Sequence, residues 1–172
     1  MKTIFSLCCM FFLALGIWSC EQQSYTGILE IKFQKIVMQN RTDDLGETIQ
    51  TAMLTFSFID GDGKIGASPQ DEKKVSRIHY IWYKQLLDGT YDIYEFSRGV
   101  TEISTAIPYD EVMDKRLAQN KVLKGSIEIA LETPRYGLEE IDIMYVECYI
   151  VDRDGKKSNV ERTHDFSIKA VQ

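Results

Sequence analysis

The run Phe58-Ile59-Asp60-Gly61-Asp62-Gly63-Lys64 sets two carboxylates two positions apart on a glycine-rich turn. That is the opening of an oxygen-donor pattern for calcium, which takes six to eight oxygens, several of them from alternate loop positions. Asp60 and Asp62 fill the first two such positions. Lys64 fills the third, where an ammonium offers donors only and repels a cation. Asp71 stands at the twelfth position and Glu72 one beyond it. The flanking residues read as strand, whereas an EF-hand needs helices. A second loop, Asp152-Arg153-Asp154-Gly155, also follows a strand end. Asp60, Asp62, Asp152 and Asp154 are therefore the candidate metal set, and calcium is the one cofactor they suggest. The competing reading is two tight turns whose aspartates bond nearby amides. We adopt the second as the expectation.

Other chemistry is sparse. His79 and His164 are the only histidines, one inside a predicted strand and one near the end of another, beside Asp165. A Ser-His-Asp assembly is defined by geometry rather than chain order. The sequence nevertheless has no nucleophile elbow, no HExxH or paired-cysteine metal motif and no phosphate-binding glycine loop. Nothing selects two carboxylates across a cleft, as a glycosidase needs. The chain is expected not to be an enzyme. Cys148 falls on an apolar stripe, where a packing thiol is expected.

Aromatics crowd one hairpin: Tyr80, Trp82, Tyr83, Tyr91, Tyr94 and Phe96. Those on the core side pack; Tyr83, Tyr91 and Tyr94 are the outward set. An exposed set of that kind is a candidate platform for sugar rings. The plainer alternative is cross-strand pairing.

The elements that must position these residues are strands. Thr51 to Ile59 alternates, with Ala52, Leu54, Phe56 and Phe58 on one face; period two with aromatic and β-branched residues is the strand signal. Gly27 to Val37 puts Leu29, Ile31, Phe33 and Lys35 together, and the polar stretch Gln39 to Glu47 reads as a loop. Val75 to Leu87, with Ile78, Tyr80 and Trp82 opposite His79, Ile81 and Tyr83, reads as a central strand. Asp88-Gly89 predicts a two-residue type I′ hairpin, with Tyr91 to Phe96 pairing back. Gly99 to Ile107 is a short edge strand. Val122 to Glu132, Ile141 to Val151 and Ser158 to Ile168 complete the set, and Met144, Val146, Cys148 and Ile150 share a face. Residues 109–119 suggest one short helix. Seven or eight strands with short turns predict an all-β, antiparallel, immunoglobulin-like sandwich. Trp82 falls where such domains bury a tryptophan.

The first twenty residues are different in kind. Lys2 precedes an uncharged apolar run, Ile4 to Trp18, which closes on Ser19-Cys20 and is followed by Glu21-Gln22-Gln23. The run is shorter than the ~20 residues of a spanning helix and suits a secretory signal. Its end resembles the lipobox of bacterial lipoproteins, with Trp18 where a smaller residue is usual. The resemblance implies cleavage before Cys20 and acylation of its thiol. That gives three parts: a removed signal over 1–19, a lipidated tether over 20–26, and one domain over 27–172. Removing the signal takes away Lys2 alone among charged residues, so the formal charge goes from −6 to −7. Such an acidic chain is no match for nucleic acid and is expected to be mildly repelled by an anionic membrane surface. Cys8 and Cys9 leave with the signal, so Cys148 has no partner for a disulfide.

With the lipobox, the segments Phe58 to Gly66, Leu123 to Glu128 and Val151 to Val160 resemble a group of small, uncharacterised Bacteroidota lipoproteins with sandwich bodies. The resemblance implies a lipid-anchored envelope protein at the outer membrane; an envelope protein, or a glycan held by the outward aromatics, is the expected partner. It implies no activity.

Overall fold

The computed structural model describes residues 27–42, 46, 48–66, 74–107, 122–134, 138 and 141–169. Cys20, the signal and tether, and the helix expected near 109–119 lie outside the described residues. Among those described, nine strands and no helix form two antiparallel sheets. The expected all-β, immunoglobulin-like sandwich is the fold.

The first sheet has the order β1 (Leu29–Thr42), β2 (Thr48–Asp60), β6 (Leu123–Leu131). The second is centred on β3 (Arg77–Gln85) and β7 (Ile141–Val151), which pair along their length. On the free edge of β3 lie β4 (Tyr91–Ile93) and β5 (Glu102–Ala106), in succession. On the free edge of β7 lie β8 (Glu161–Arg162) and β9 (Phe166–Lys169).

The period-two alternation places the core. Ala52, Leu54, Phe56 and Phe58 of β2 are buried, as are Ile78, Tyr80 and Trp82 of β3 and Met144, Val146, Cys148 and Ile150 of β7. They meet between the sheets with Ile127, Ile129 and Leu131 of β6 in one cluster. The Tyr80 hydroxyl accepts from the Glu132 amide at 3.1 Å, tying the second sheet to the end of β6. Gly125 stands opposite Phe58, and a Cβ there would come within 3.2 Å of the Phe58 ring. The bare backbone is what lets that ring lie over β6.

Three local expectations are corrected. Alternation grouped Lys35 with Leu29 and Ile31, but a bulge between Phe33 and Lys35 shifts the register. One added residue turns Ile36 into the core and Lys35 out to solvent, since a slip of one exchanges the faces. The polar stretch from Gln39 is strand as far as Thr42, because its backbone pairs with Thr48–Thr51 whatever its side chains. At Asp88-Gly89 the Gly89 amide donates to the Leu86 carbonyl at 2.9 Å and the Leu86 amide to the Thr90 carbonyl at 2.8 Å. Three residues, rather than two, form the loop, with Gly89 at φ +83°; that is the bulged hairpin in which a glycine closes a turn.

The expected last strand is two. Thr163 leaves the ladder between β8 and β9: its amide donates to the Val146 carbonyl at 2.9 Å, and its hydroxyl accepts from the Val146 amide at 3.0 Å. A side chain stands in for a backbone carbonyl, and the edge is broken into pieces too short to template another chain.

Leu29 pairs with Asp60, Asp60 with Leu123, and Arg77 with Val151. The start of the domain, the loops after β2 and β7 and the start of β6 thus share one end of the sandwich. The β1–β2 and β3–β4 connections lie at the other.

Candidate functional site

Asp60 ends β2 with its side chain fully buried. Its Oδ1 accepts from the Gly63 amide at 3.0 Å and its Oδ2 from the Ile65 amide at 2.7 Å. Burial pushes its carboxyl above the usual carboxylate range; the two amides pull it down, and neighbouring Asp62 pushes it up again. Ser76 locks the far side of the loop, donating to the Lys64 carbonyl at 2.9 Å and accepting from the Gly66 amide at 3.0 Å.

Asp152 repeats the device after β7. It is 4% exposed, and its Oδ1 accepts from the amides of Asp154 and Lys156 at 2.9 and 2.8 Å. Each aspartate folds the following turn around its own carboxylate, the arrangement that short acidic side chains favour in loops. The Asp152 Oδ2 is buried with no hydrogen-bond partner among the described residues.

The two loops dock. Arg153 donates its amide and its Nε to the Lys64 carbonyl at 3.3 and 3.1 Å, and its Nη2 to the Gly63 carbonyl at 3.1 Å. Lys64 Nζ stands 3.3 Å from Asp154 Oδ2. The fold therefore brings Asp60, Asp62, Asp152 and Asp154 to the same end, as a shared site would need, but a guanidinium and an ammonium bridge the loops. Among the described residues, no group of three or more His, Cys, Asp or Glu side chains is placed to hold a metal ion. The donor set is a poor fit for calcium, which needs six or more oxygens and no adjacent cation.

The outward aromatics lie on the second sheet. Tyr83 stacks on Tyr145 with centroids 4.6 Å apart, and Tyr91 meets Tyr145 edge-on at 4.8 Å. Arg162 covers Tyr145 at 3.8 Å from the ring centroid. The Tyr91 hydroxyl donates to Asp165 at 2.7 Å, and Arg162 donates to the same carboxylate at 2.9 Å. Tyr94 departs from the expected outward set: it packs against the core and meets Phe96 edge-on at 5.2 Å. Further along the same face Tyr149 is stacked on His79 at 4.9 Å, with Lys157 Nζ 3.5 Å from its centroid. His79 Nδ1 and the Tyr149 hydroxyl both reach Glu102, at 2.8 and 3.1 Å. These rings are occupied by one another and by cations, a cross-strand ladder. Attention to the inward residues of β7 missed Tyr145 and Tyr149; their alternation with Glu147 on the opposite face was the available signal.

The histidines are apart. His79 belongs to that ladder, and His164 packs edge-on against Phe33 at 5.4 Å. Cys148 is buried, and burial pushes its thiol up to about 12, with Glu161 and Glu147 adding to the rise. A thiol so protonated is no nucleophile.

No family model matches the chain, and no curated protein matches it. Among solved structures it is similar to a Northeast Structural Genomics Consortium target, SoR45, at 13% identity over 84% of this chain and 88% of that one. The TM-score of 0.27 is too low to bear on function.

Proposed function

We propose that this chain is a non-catalytic lipoprotein of the cell envelope, anchored to the outer membrane by lipid on Cys20, whose sandwich body binds a protein partner. The observation that carries a protein partner over a glycan is the state of the outward rings. Tyr83, Tyr145 and Tyr149 have their faces taken by stacking or by Arg162 and Lys157, whereas a sugar platform needs an open aromatic face. The anchor rests on the resemblance of Ile17-Trp18-Ser19-Cys20 to a lipobox. Two or three acyl chains on one cysteine hold far more firmly than one, since each buried methylene contributes about 0.8 kcal/mol.

The test is Cys20→Ala in the full chain. The wild type fractionates with membranes and takes up labelled fatty acid; the variant does neither. A variant that keeps its lipid and its membrane location overturns the anchor. Protease treatment of intact cells tells the periplasmic face from the outer one. Glycan arrays test the alternative: saturable sugar binding lost in Tyr83→Ala or Tyr91→Ala would favour the accessory glycan-binding role.

A further inference from the structure

We infer that the outer edge of β6 takes an added strand from the protein partner, an extended segment with apolar side chains at alternate positions. The inference rests on the protein-partner reading above and names the mode of contact. A sheet edge is a row of unpaired amides and carbonyls, and folded proteins block such rows. Among the described residues, three of the four edges are blocked. Asn159 and Glu161 clasp β1 at Ile31 and Phe33, just before its bulge. β8 and β9 are two and four residues long, with Thr163 between them. β4 and β5 are three and five residues long. β6 is the exception. Its nine residues, Leu123–Leu131, contain no proline and pair with β2 without a register shift. No described strand pairs with its other side.

The second sheet says what fits there. The clasp sets β1 against β8, and the bond from the Glu132 amide to Tyr80 sets the end of β6 against β3. β2 then faces β7, and β4 and β5, beyond β3, face no described strand. The inward residues there, Ile103 of β5 with Tyr94 and Phe96 of the β4–β5 connection, pack on the core and stay half-buried. A strand added to β6 would cover them. It would extend the buried row of Ile127, Ile129 and Leu131 on one face and the exposed row of Ser126, Glu128 and Ala130 on the other. That prescribes alternation: valine, isoleucine or leucine inward and polar residues outward. Lys35, Thr55 and Glu128 stand in one cross-strand row, and Glu128 has a half-exposed side chain. The next residue in that row is best a lysine or arginine. A second copy paired about a dyad through β6 would set its own β3 in the place of β5, so a lone segment is the occupant that fits.

The test uses the purified full chain and the peptide Val-Thr-Val-Lys-Val-Thr-Val. Two derivatives carry N-methyl groups on alternate amides, one along each edge of the extended peptide, and keep every side chain. Strand addition predicts that amide exchange along Gly125–Leu131 slows by roughly fivefold, as one added hydrogen bond per outward amide gives. Exchange along Tyr91–Ile93 should not change, and only one of the two derivatives should retain the effect. No slowing, or equal slowing by both derivatives, overturns the inference. Photocrosslinking in envelope preparations separates it from the reading it rests on. Benzoylphenylalanine replaces Ala130 on the β6 edge, or Ile143, which is 42% exposed on the face that carries Tyr145; matching melting curves establish that both variants are folded. Capture at Ala130 that the unmethylated peptide competes away supports the edge. Capture at Ile143 alone overturns the edge and leaves a protein partner standing. Capture at neither overturns both.

Discussion

The Asn159 carboxamide takes both backbone groups of Ile31: Oδ1 accepts from the Ile31 amide at 2.8 Å, and Nδ2 donates to its carbonyl at 2.9 Å. Glu161 continues the pattern, accepting from the Phe33 amide at 2.8 Å. Two side chains imitate a strand along the free edge of β1 and pin the second sheet to the first. An unpaired edge of that kind invites another chain. Asn159→Ala should cost about 1–3 kcal/mol, the penalty for stranding partly buried backbone groups. Urea melts give the loss. Light scattering at rising concentration should show self-association that the wild type lacks. A loss under about 0.5 kcal/mol without association means the clasp is ornamental.

Trp82 is fully buried and meets Phe166 edge-on at 5.7 Å. Trp82→Ala should destabilise by about 3–5 kcal/mol, the range for emptying a large aromatic site. A change below about 1 kcal/mol in denaturant melts is incompatible with its place between the sheets.

Asp60 predicts a pH dependence of definite sign. Its carboxyl is raised in the folded state, chiefly by burial. The native chain therefore holds that proton more tightly than the unfolded one, and the group's contribution to stability falls as pH rises from the ordinary carboxylate value through the raised one. Relative to Asp60→Asn, which does not titrate there, the wild type should lose ground across that acidic window. Paired melts at stepped pH check it. The opposite slope would mean that the Ile65 and Gly63 amides outweigh burial.

Cys148 should resist iodoacetamide in the native protein at mildly alkaline pH and react fully once unfolded in guanidinium, because burial shields its thiol and pushes it up to about 12. Mass spectrometry of its peptide reads the outcome; rapid native alkylation would place the residue at the surface.

Calcium at about 1 mM, where extracellular modules commonly work, should leave the melting midpoint unchanged. A rise that Asp60→Asn or Asp152→Asn removes would show that the loops rearrange to free carboxylate oxygens for the ion.

The sequence by itself determined the fold class and most of the core. Alternation is local, and a stripe such as Met144, Val146, Cys148 and Ile150 has one way to be dry. It also marked Asp60 as a turn former, because an aspartate before glycine bonds amides a few residues further on, here those of Gly63 and Ile65. Tertiary structure alone decided what depends on contacts between distant segments. The bulge at Phe33/Lys35 exists because Ile36 finds the core. Arg153 bridges to Lys64, and Asn159 seals Ile31, across 89 and 128 residues of chain, and no spacing rule reaches that far.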